Sequence, residues 1–408
     1  MPEAWIIDAC RTPRGVGRVG KGSLAGIHPQ QVAATVLRAI ADRNALDTAE
    51  VDDIVWGTST QTGPQGGDLA RMAALDAGFD VGASAMTLDR FCGSGITAVN
   101  IAAAQVISGM EDLVIAGGTE MMSYSTAQPP PMPDAGNLRL RARHPQGLPG
   151  VAADAIATLE GIDRAALDAF SFESQQRADH AIRNGHFDRA LVPVHREDGS
   201  LALDREEYPR PQTTLEGLSG LKPAFEALAA MPIGPDDVTF GDLIRQKYPD
   251  LKIDHVHHAG SSSGVVDGAA ALLLASPVYA VSRGLKPRAR LVATANAGDC
   301  PTLMLNAPVP AARKVLNKAG LTVADIDLFE INEAFAVVAE KFIRDLGLDR
   351  DRVNVNGGAI ALGHPIGATG AMLIGMMVDE LERRDLKRGL VTMCAAGGMA
   401  PAVIIERF

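Results

Sequence analysis

The chain has 408 residues, of which 47% are apolar and 21% charged; this is enough to bury more than one domain core and excludes a small disulfide-stapled scaffold. Lys+Arg 38 against Asp+Glu 49 leaves a net charge of −11, which excludes general binding along a nucleic-acid backbone and demands a local basic patch for any anionic ligand. The four cysteines, Cys10, Cys92, Cys300 and Cys394, are scattered and lack CxxC spacing, so reduced thiols in a cytoplasmic protein are expected.

The first residues, Met-Pro-Glu-Ala-Trp-Ile-Ile-Asp, show no basic segment followed by a long apolar run. No stretch approaches the roughly 18 apolar residues of a membrane span, so the expectation is a soluble, unprocessed chain without membrane insertion. Short β-branched runs predict strands at 5–8, 54–57, 113–117, 271–275, 291–295, 328–332, 353–356, 390–394 and 403–406, with helices such as 29–41 and 310–319 between them. This alternation is the mark of α/β architecture. Two further helices, 95–108 (GITAVNIAAAQVIS) and 367–378 (GATGAMLIGMMV), are small or apolar on nearly every face and must be covered on all sides. Two sheets facing each other across a helical layer provide such a place, so five layers, α-β-α-β-α, are predicted.

An internal duplication emerges from the same elements. Val51-Asp52-Asp53-Ile54-Val55 resembles Ile326-Asp327-Leu328-Phe329, and Leu113-Val114-Ile115 resembles Leu390-Val391-Thr392, at an offset of roughly 275 residues each time. The stretch 125–258 breaks the pattern, opening on Pro129-Pro130-Pro131-Met132-Pro133 and carrying the basic string Arg139-Leu140-Arg141-Ala142-Arg143-His144. The predicted organisation is an N-terminal half of residues 1–124 plus 259–284, an inserted loop domain of 125–258 that covers a site at the sheet ends, and a C-terminal half of 285–408.

Cys92 stands directly before the first all-apolar helix, where unpaired N–H groups and the helix dipole stabilise a thiolate; its pKa is expected to fall from ~8.5 towards neutrality. His364 stands between glycines just before the second, at nearly the same place in the other repeat. Pseudo-twofold packing then brings the two helix starts towards one pocket, a Cys–His arrangement suited to nucleophilic catalysis. Cys394 and Asn332 close two predicted strands of the second repeat, at the carboxyl ends where α/β sheets present ligand sites.

Together the blocks around Cys92, Asn332-Glu333-Ala334-Phe335, His364 and Cys394 resemble, in order and spacing, the thiolase family of fatty-acid metabolism and β-oxidation; the likeness runs from Ile6-Ile7-Asp8-Ala9-Cys10-Arg11-Thr12-Pro13 to the C-terminus. These enzymes make or cleave the carbon–carbon bond of β-ketoacyl-CoA thioesters on a duplicated five-layered fold with a loop domain inserted in its first half. The resemblance implies Cys92 as the acyl-carrying nucleophile, His364 as acceptor of its proton and Cys394 as the acid/base for the second substrate. It implies one oxyanion hole from His364 and a water held by Asn332, and another from the backbone N–H groups of Cys92 and Ala396, the latter a glycine in many members. For coenzyme A it implies Ser263 and Gly264 at the pantetheine turn, Arg210 at the nucleotide end and Phe225 along the tunnel. Met304, Ala334, Phe335 and Ile366 are the remaining substrate contacts. Coenzyme A and acyl-CoA are substrates; no other cofactor and no metal is expected, and the assembly is a homodimer or homotetramer as is usual in the family.

Some features depart from the family or stand outside it. Pro149-Gly150 replaces the Met-Gly of short-chain biosynthetic members, and some thirty residues between Phe225 and Ala259, with Pro232 and Pro235, exceed the usual connection. Acyl chain length and physiological direction are therefore open. The His255-Val256-His257-His258 cluster, preceded by Asp254 and with no Cys nearby, reads as surface or strand residues more than as a metal site. Arg139, Arg141 and Arg143 read as a solvated or intersubunit loop more than as a ligand field. Two alternatives remain: a β-ketoacyl synthase-type condensing enzyme, against which Asn332 stands where that class has histidine, and a non-catalytic acyl-CoA or lipid-binding member of the fold.

Overall fold

The computed structural model describes residues 3–127, 132–233 and 237–408; Pro129-Pro130-Pro131 and Pro235 lie outside them. The principal strands are β1 (Trp5–Arg11), β2 (Asp53–Gly57), β3 (Met86–Leu88), β4 (Leu113–Met121), β5 (Val266–Ala275), β6 (Ala289–Gly298), β7 (Leu328–Ile331), β8 (Arg388–Thr392) and β9 (Met399–Arg407). They hydrogen-bond in the order β7-β8-β9-β6-β1-β5-β4-β2-β3. Both β4 and β5 are buried at every position, as continuous apolar runs must be when a sheet is covered on both faces.

The order states the duplication in backbone terms. In the first half β2 runs parallel to β3 and β4, followed by antiparallel β4–β5 and β5–β1 pairs. In the second, β7 runs parallel to β8, followed by antiparallel β8–β9 and β9–β6 pairs. The two first strands, β1 and β6, meet in a short antiparallel seam with Trp5 opposite Arg290 and Ile6 opposite Ala289. The two expected sheets are thus halves of one hydrogen-bonded path.

One predicted strand fails. At 353–356 only Val353 bridges to Phe329, beside β7 where β3 lies beside β2 in the first half. Asn354 has a left-handed backbone (φ 47). Its side chain exchanges two hydrogen bonds with the Ile331 backbone, accepting at 2.9 Å and donating at 2.8 Å, in place of the ladder a strand would make.

Helices α1 (Pro29–Arg43) and α2 (Leu69–Asp76) cover the outer face of the first half, and α3 (Ser94–Ser108) enters the middle. The segment 125–258 contributes α4 (Pro149–Glu160), α5 (Arg164–Arg183) and α6 (Phe240–Lys247); α7 (Pro308–Ala319) and α8 (Ala336–Leu346) cover the second half, and α9 (Ile366–Arg383) is the second central helix. Helices α3 and α9 pack on each other and touch strands of both halves, giving the five layers. The stretch Phe91–Ser108 is long and apolar enough to cross a membrane, but 67% of it is buried inside this core. Glycine permits the crossing: a side chain at Gly95 would meet the Ala371, Gly367 and Gly370 backbone at 2.7–3.0 Å, and one at Gly370 would overlap the Ile96 nitrogen. Helices α4 and α5 interrupt the first half in sequence yet pack against α8 of the second.

Candidate active site

Cys92 lies in the turn that leads into α3. Phe91 adopts φ 50, and Ser94 clamps the turn by accepting the Arg90 N–H at 2.8 Å and donating to the Phe91 carbonyl at 2.7 Å. A side chain at Gly93 would meet Pro401 and Ala395 at 2.8–3.4 Å, so this turn rests directly on the one that follows Cys394. The second turn is closed by the Ala395 N–H to the Met399 carbonyl at 2.7 Å and bends through Gly397 and Gly398, φ 76 and 75, a conformation natural to glycine. Ala396 is half-buried at its tip. The Cys92 and Cys394 sulfurs are close enough that charge on the first raises the pKa of the second, after burial as the larger cause.

His364 lies two residues ahead of α9, as Cys92 lies two residues ahead of α3. Its backbone N–H donates to the Gly264 carbonyl at 2.9 Å, and its Nδ1 is 2.6 Å from Thr369 Oγ1. That hydroxyl gives its hydrogen to the Pro365 carbonyl at 3.0 Å, so Nδ1 must be the donor and Nε2 carries the free lone pair. Nε2 is buried with no hydrogen-bond partner among the described residues. Burial, then the Arg14 charge, pushes the His364 pKa down to about 3, so the ring is neutral at physiological pH.

The expected acidification of Cys92 is not found. Burial pushes its thiol up to about 12, and the Glu120 and Asp89 charges add to the effect. Lost solvation is the largest of these causes, although Cys92 itself is half-buried and not sealed from the surface. The start of α9 is already occupied, because Glu120 accepts the Gly367 N–H at 2.9 Å together with those of Ser59 and Thr60.

Asn332 follows β7, with its backbone N–H on the Thr392 carbonyl at 3.2 Å. Its side chain is 1% exposed, and neither amide atom has a partner among the described residues. A buried amide left this way is an open donor and acceptor. Glu333, whose sequence neighbours drew attention while it did not, accepts from Ser174 Oγ at 2.6 Å, Asn354 Nδ2 at 2.9 Å and the Ile360 N–H at 3.2 Å. It packs where a Gly358 side chain would be, stapling the loop that delivers His364. Its signal in sequence was an acid at the end of an apolar strand. Thr369 and Glu120 were also missed, since neither has a local pattern.

A cleft of about 260 Å³ opens nearby, lined by Gln175, Tyr208, Arg210, Leu218, Gly260 and Ile360 among others. Arg210 lies over the Tyr208 ring at 5.6 Å, and its N–H is held by Gln175 Oε1 at 3.0 Å. Tyr208 covers Gly264, where a side chain would overlap the ring. The Ser263 and Gly264 N–H groups donate to the Ala334 and Ala359 carbonyls, each at 3.0 Å, tying this turn to the Asn332 and His364 loops. Phe225 meets Phe335 edge-on at 5.7 Å and covers Gly150. Ile366 is half-buried at the first residue of α9, while Met304 (φ 60) is buried in the apolar cluster that includes α4 and α6. Arg210 thus lines the open cleft; Phe225, Ser263, Gly264, Ala334 and Phe335 do not, but are joined by the Phe225–Phe335 contact and the Ser263–Ala334 hydrogen bond.

The histidine cluster differs from expectation. His257 and His258 are buried, and carboxylates distant in sequence reach them: His255 and His257 share Asp154 of α4, at 2.7 and 2.8 Å, and His258 pairs with Asp168 of α5 at 2.6 Å. Among the described residues no group of three His, Cys, Asp or Glu side chains is disposed to hold a metal ion. Of the basic string, Arg141 is held by Asp134 at 2.6 Å, a partner within its own loop.

Comparison with known proteins agrees with this geometry. Residues 4–230 match the family of the thiolase N-terminal domain and residues 285–407 that of the thiolase C-terminal domain. The chain is 39% identical to a 3-ketoacyl-CoA thiolase of Cronobacter sakazakii and 39% identical to a beta-ketoadipyl-CoA thiolase of Escherichia coli, with 100% of each chain covered in both cases. The crystal structure of the Bacillus anthracis acetyl-CoA acetyltransferase superposes with a TM-score of 0.84 at 33% identity, over 100% of this chain and 99% of that one. With both domain families matched across its length and these relatives end to end, the chain belongs to the thiolase family and is an acyltransferase.

Proposed function

We propose that the protein transfers acyl groups between coenzyme A and a β-ketoacyl-CoA by ping-pong Claisen or retro-Claisen chemistry through an acyl-Cys92 intermediate. The observation that carries the reading is the bare, unprotonated Nε2 of His364 at the start of α9, crossing at glycine the helix that Cys92 precedes. In cleavage the Cys92 sulfur bonds to the 3-keto carbon as its proton moves to Nε2. The tetrahedral oxyanion is met by the N–H groups of Cys92 and Ala396, an arrangement in which one donor is worth ~10²–10³ in rate. Its collapse breaks the carbon–carbon bond, and Cys394 protonates the departing acetyl-CoA enolate, whose oxygen His364 and a water on Asn332 stabilise. A second coenzyme A then attacks the thioester carbonyl as its thiol proton passes to Cys394; the bond from the acyl carbon to the Cys92 sulfur breaks, acyl-CoA is released, and the sulfur takes back its proton from His364.

With Cys92 held to about 12 and His364 at about 3, the resting pair is neutral. Attack and proton transfer are therefore coupled, and the charges that develop are the imidazolium of His364 and the oxyanion that the N–H donors meet. Coenzyme A and acyl-CoA are the substrates, with no step routed through a metal or another cofactor. A cytoplasmic homodimer or homotetramer completes the reading. The names of the relatives, from acetyl to ketoadipyl, support the reaction class and leave chain length open. Mixing the protein with excess acetyl-CoA and mapping peptides by mass tests the proposal. One acetyl group on Cys92, discharged by free coenzyme A, is expected. Absence of an adduct with acetyl-CoA and with longer 3-ketoacyl-CoA substrates alike would overturn it.

A further inference from the structure

His257 is fully buried at 0% exposure, yet its Nε2 has no hydrogen-bond partner among the described residues. Its protonation pattern follows from its neighbours. Asp154 Oδ1 already accepts the backbone N–H groups of Val256 and His257, at 3.2 and 2.9 Å, and is 2.8 Å from His257 Nδ1. Nδ1 therefore bears the hydrogen, and in the neutral ring Nε2 is a lone-pair acceptor. Asp154 also takes His255 Nδ1 on its other oxygen at 2.7 Å, so the orienting carboxylate is fixed from two sides and by the body of α4.

The place of this acceptor is defined by aromatic contacts. The His257 ring meets Phe335 edge-on at 5.7 Å, and Phe335 meets Phe225 in the same way. The His257 carbonyl holds the Ala224 N–H at 2.9 Å, beside Phe225. Two residues on, Ala259 and Gly260 line the open cleft, and Ser263 and Gly264 are tied to the loops of Asn332 and His364. His257 thus packs against Phe335, two residues before Ala259 at the edge of the cleft, in the segment whose following turn is tied to the Asn332 and His364 loops. Neighbouring His258 shows the contrast: one ring nitrogen is on Asp168 and the other accepts the Gly260 N–H at 3.0 Å, so it has nothing left to offer.

Resting on the thiolase reading above, we propose that His257, oriented by Asp154, is a specificity-determining residue that accepts a hydrogen bond from an N–H or O–H donor of the bound acyl-CoA. The donor is an amide N–H of the pantetheine arm or a hydroxyl carried by the acyl chain. A buried acceptor of fixed direction discriminates because a ligand lacking the donor leaves it unpaired.

The test compares the wild type with His257→Phe, which keeps a ring and removes the acceptor, on 3-ketohexanoyl-CoA and on its terminally hydroxylated analogue. A rise in KM of about tenfold on both substrates, with kcat within about twofold, supports the pantetheine amide. The same rise confined to the hydroxylated substrate supports the chain hydroxyl. His257→Gln, which restores an acceptor, recovers most of the loss in either case. A KM unchanged on both substrates, or a loss confined to kcat, overturns the proposal. If His257→Phe does not fold, His257→Leu carries the same comparison. Wild-type turnover of 3-ketohexanoyl-CoA reports on the thiolase reading by itself, so the two failures are distinguishable.

Discussion

Single side chains in this site are set by enclosure more than by type. A cysteine and a histidine ahead of two apolar helices were legible as a pair, but their protonation was not, because Glu120, Arg14 and the surrounding layers come from elsewhere in the chain. Replacing Cys92 by Ser should abolish acyl transfer, by about 10³-fold or more, while circular dichroism stays native, since a hydroxyl gives up its proton still less readily. Replacing Thr369 by Val leaves Nδ1–H of His364 without its acceptor and frees the ring to turn; kcat should fall by about tenfold with KM little changed. The His364 pKa also has a consequence for stability. Below pH 6.5 the unfolded chain takes up a proton that the folded chain refuses until about pH 3, so stability is lost as pH falls through this window. From pH 7 to pH 5 this contribution falls by about 2 kcal/mol, and unfolding titrations of His364→Gln should show a correspondingly flatter acid limb.

Among the elements, the two central helices were the most readable, because apolar residues on every face admit only a place covered on every side. What the pattern could not show is how close they come. At Gly370 even a methyl group would overlap the Ile96 backbone of the opposite helix. Gly370→Ala should therefore cost about 1–3 kcal/mol through forced separation of α3 and α9, read as a lowered thermal midpoint, with activity lost alongside because the two helix starts part. The predicted strand at 353–356 failed for a reason of the same kind. Its β-branched run looked regular, and only the Asn354 side chain, turned onto Ile331, takes the hydrogen bonds that a neighbouring strand would have used.

For the molecule as a whole, the duplication was legible from two short likenesses, since each half must repeat its buried strands to build its sheet. The joining of the halves was not, because the β1–β6 seam spans only two residue pairs. So narrow a seam leaves cohesion to the middle layer, where α3 from the first half packs on β9 of the second. The fragment 285–408 expressed alone should consequently be insoluble or bind a hydrophobic dye, with its inner face uncovered; a soluble, cooperatively unfolding fragment would refute this. The equivalent placement of Cys92 and His364 before α3 and α9 has one more consequence. Two identical copies of a half, meeting about a symmetry axis, would carry the same residue at both helix starts and could present two thiols or two imidazoles, never one of each. Fusion into a single polypeptide lets the two positions diverge, so a nucleophile and its base can face each other across an axis that the backbone still obeys.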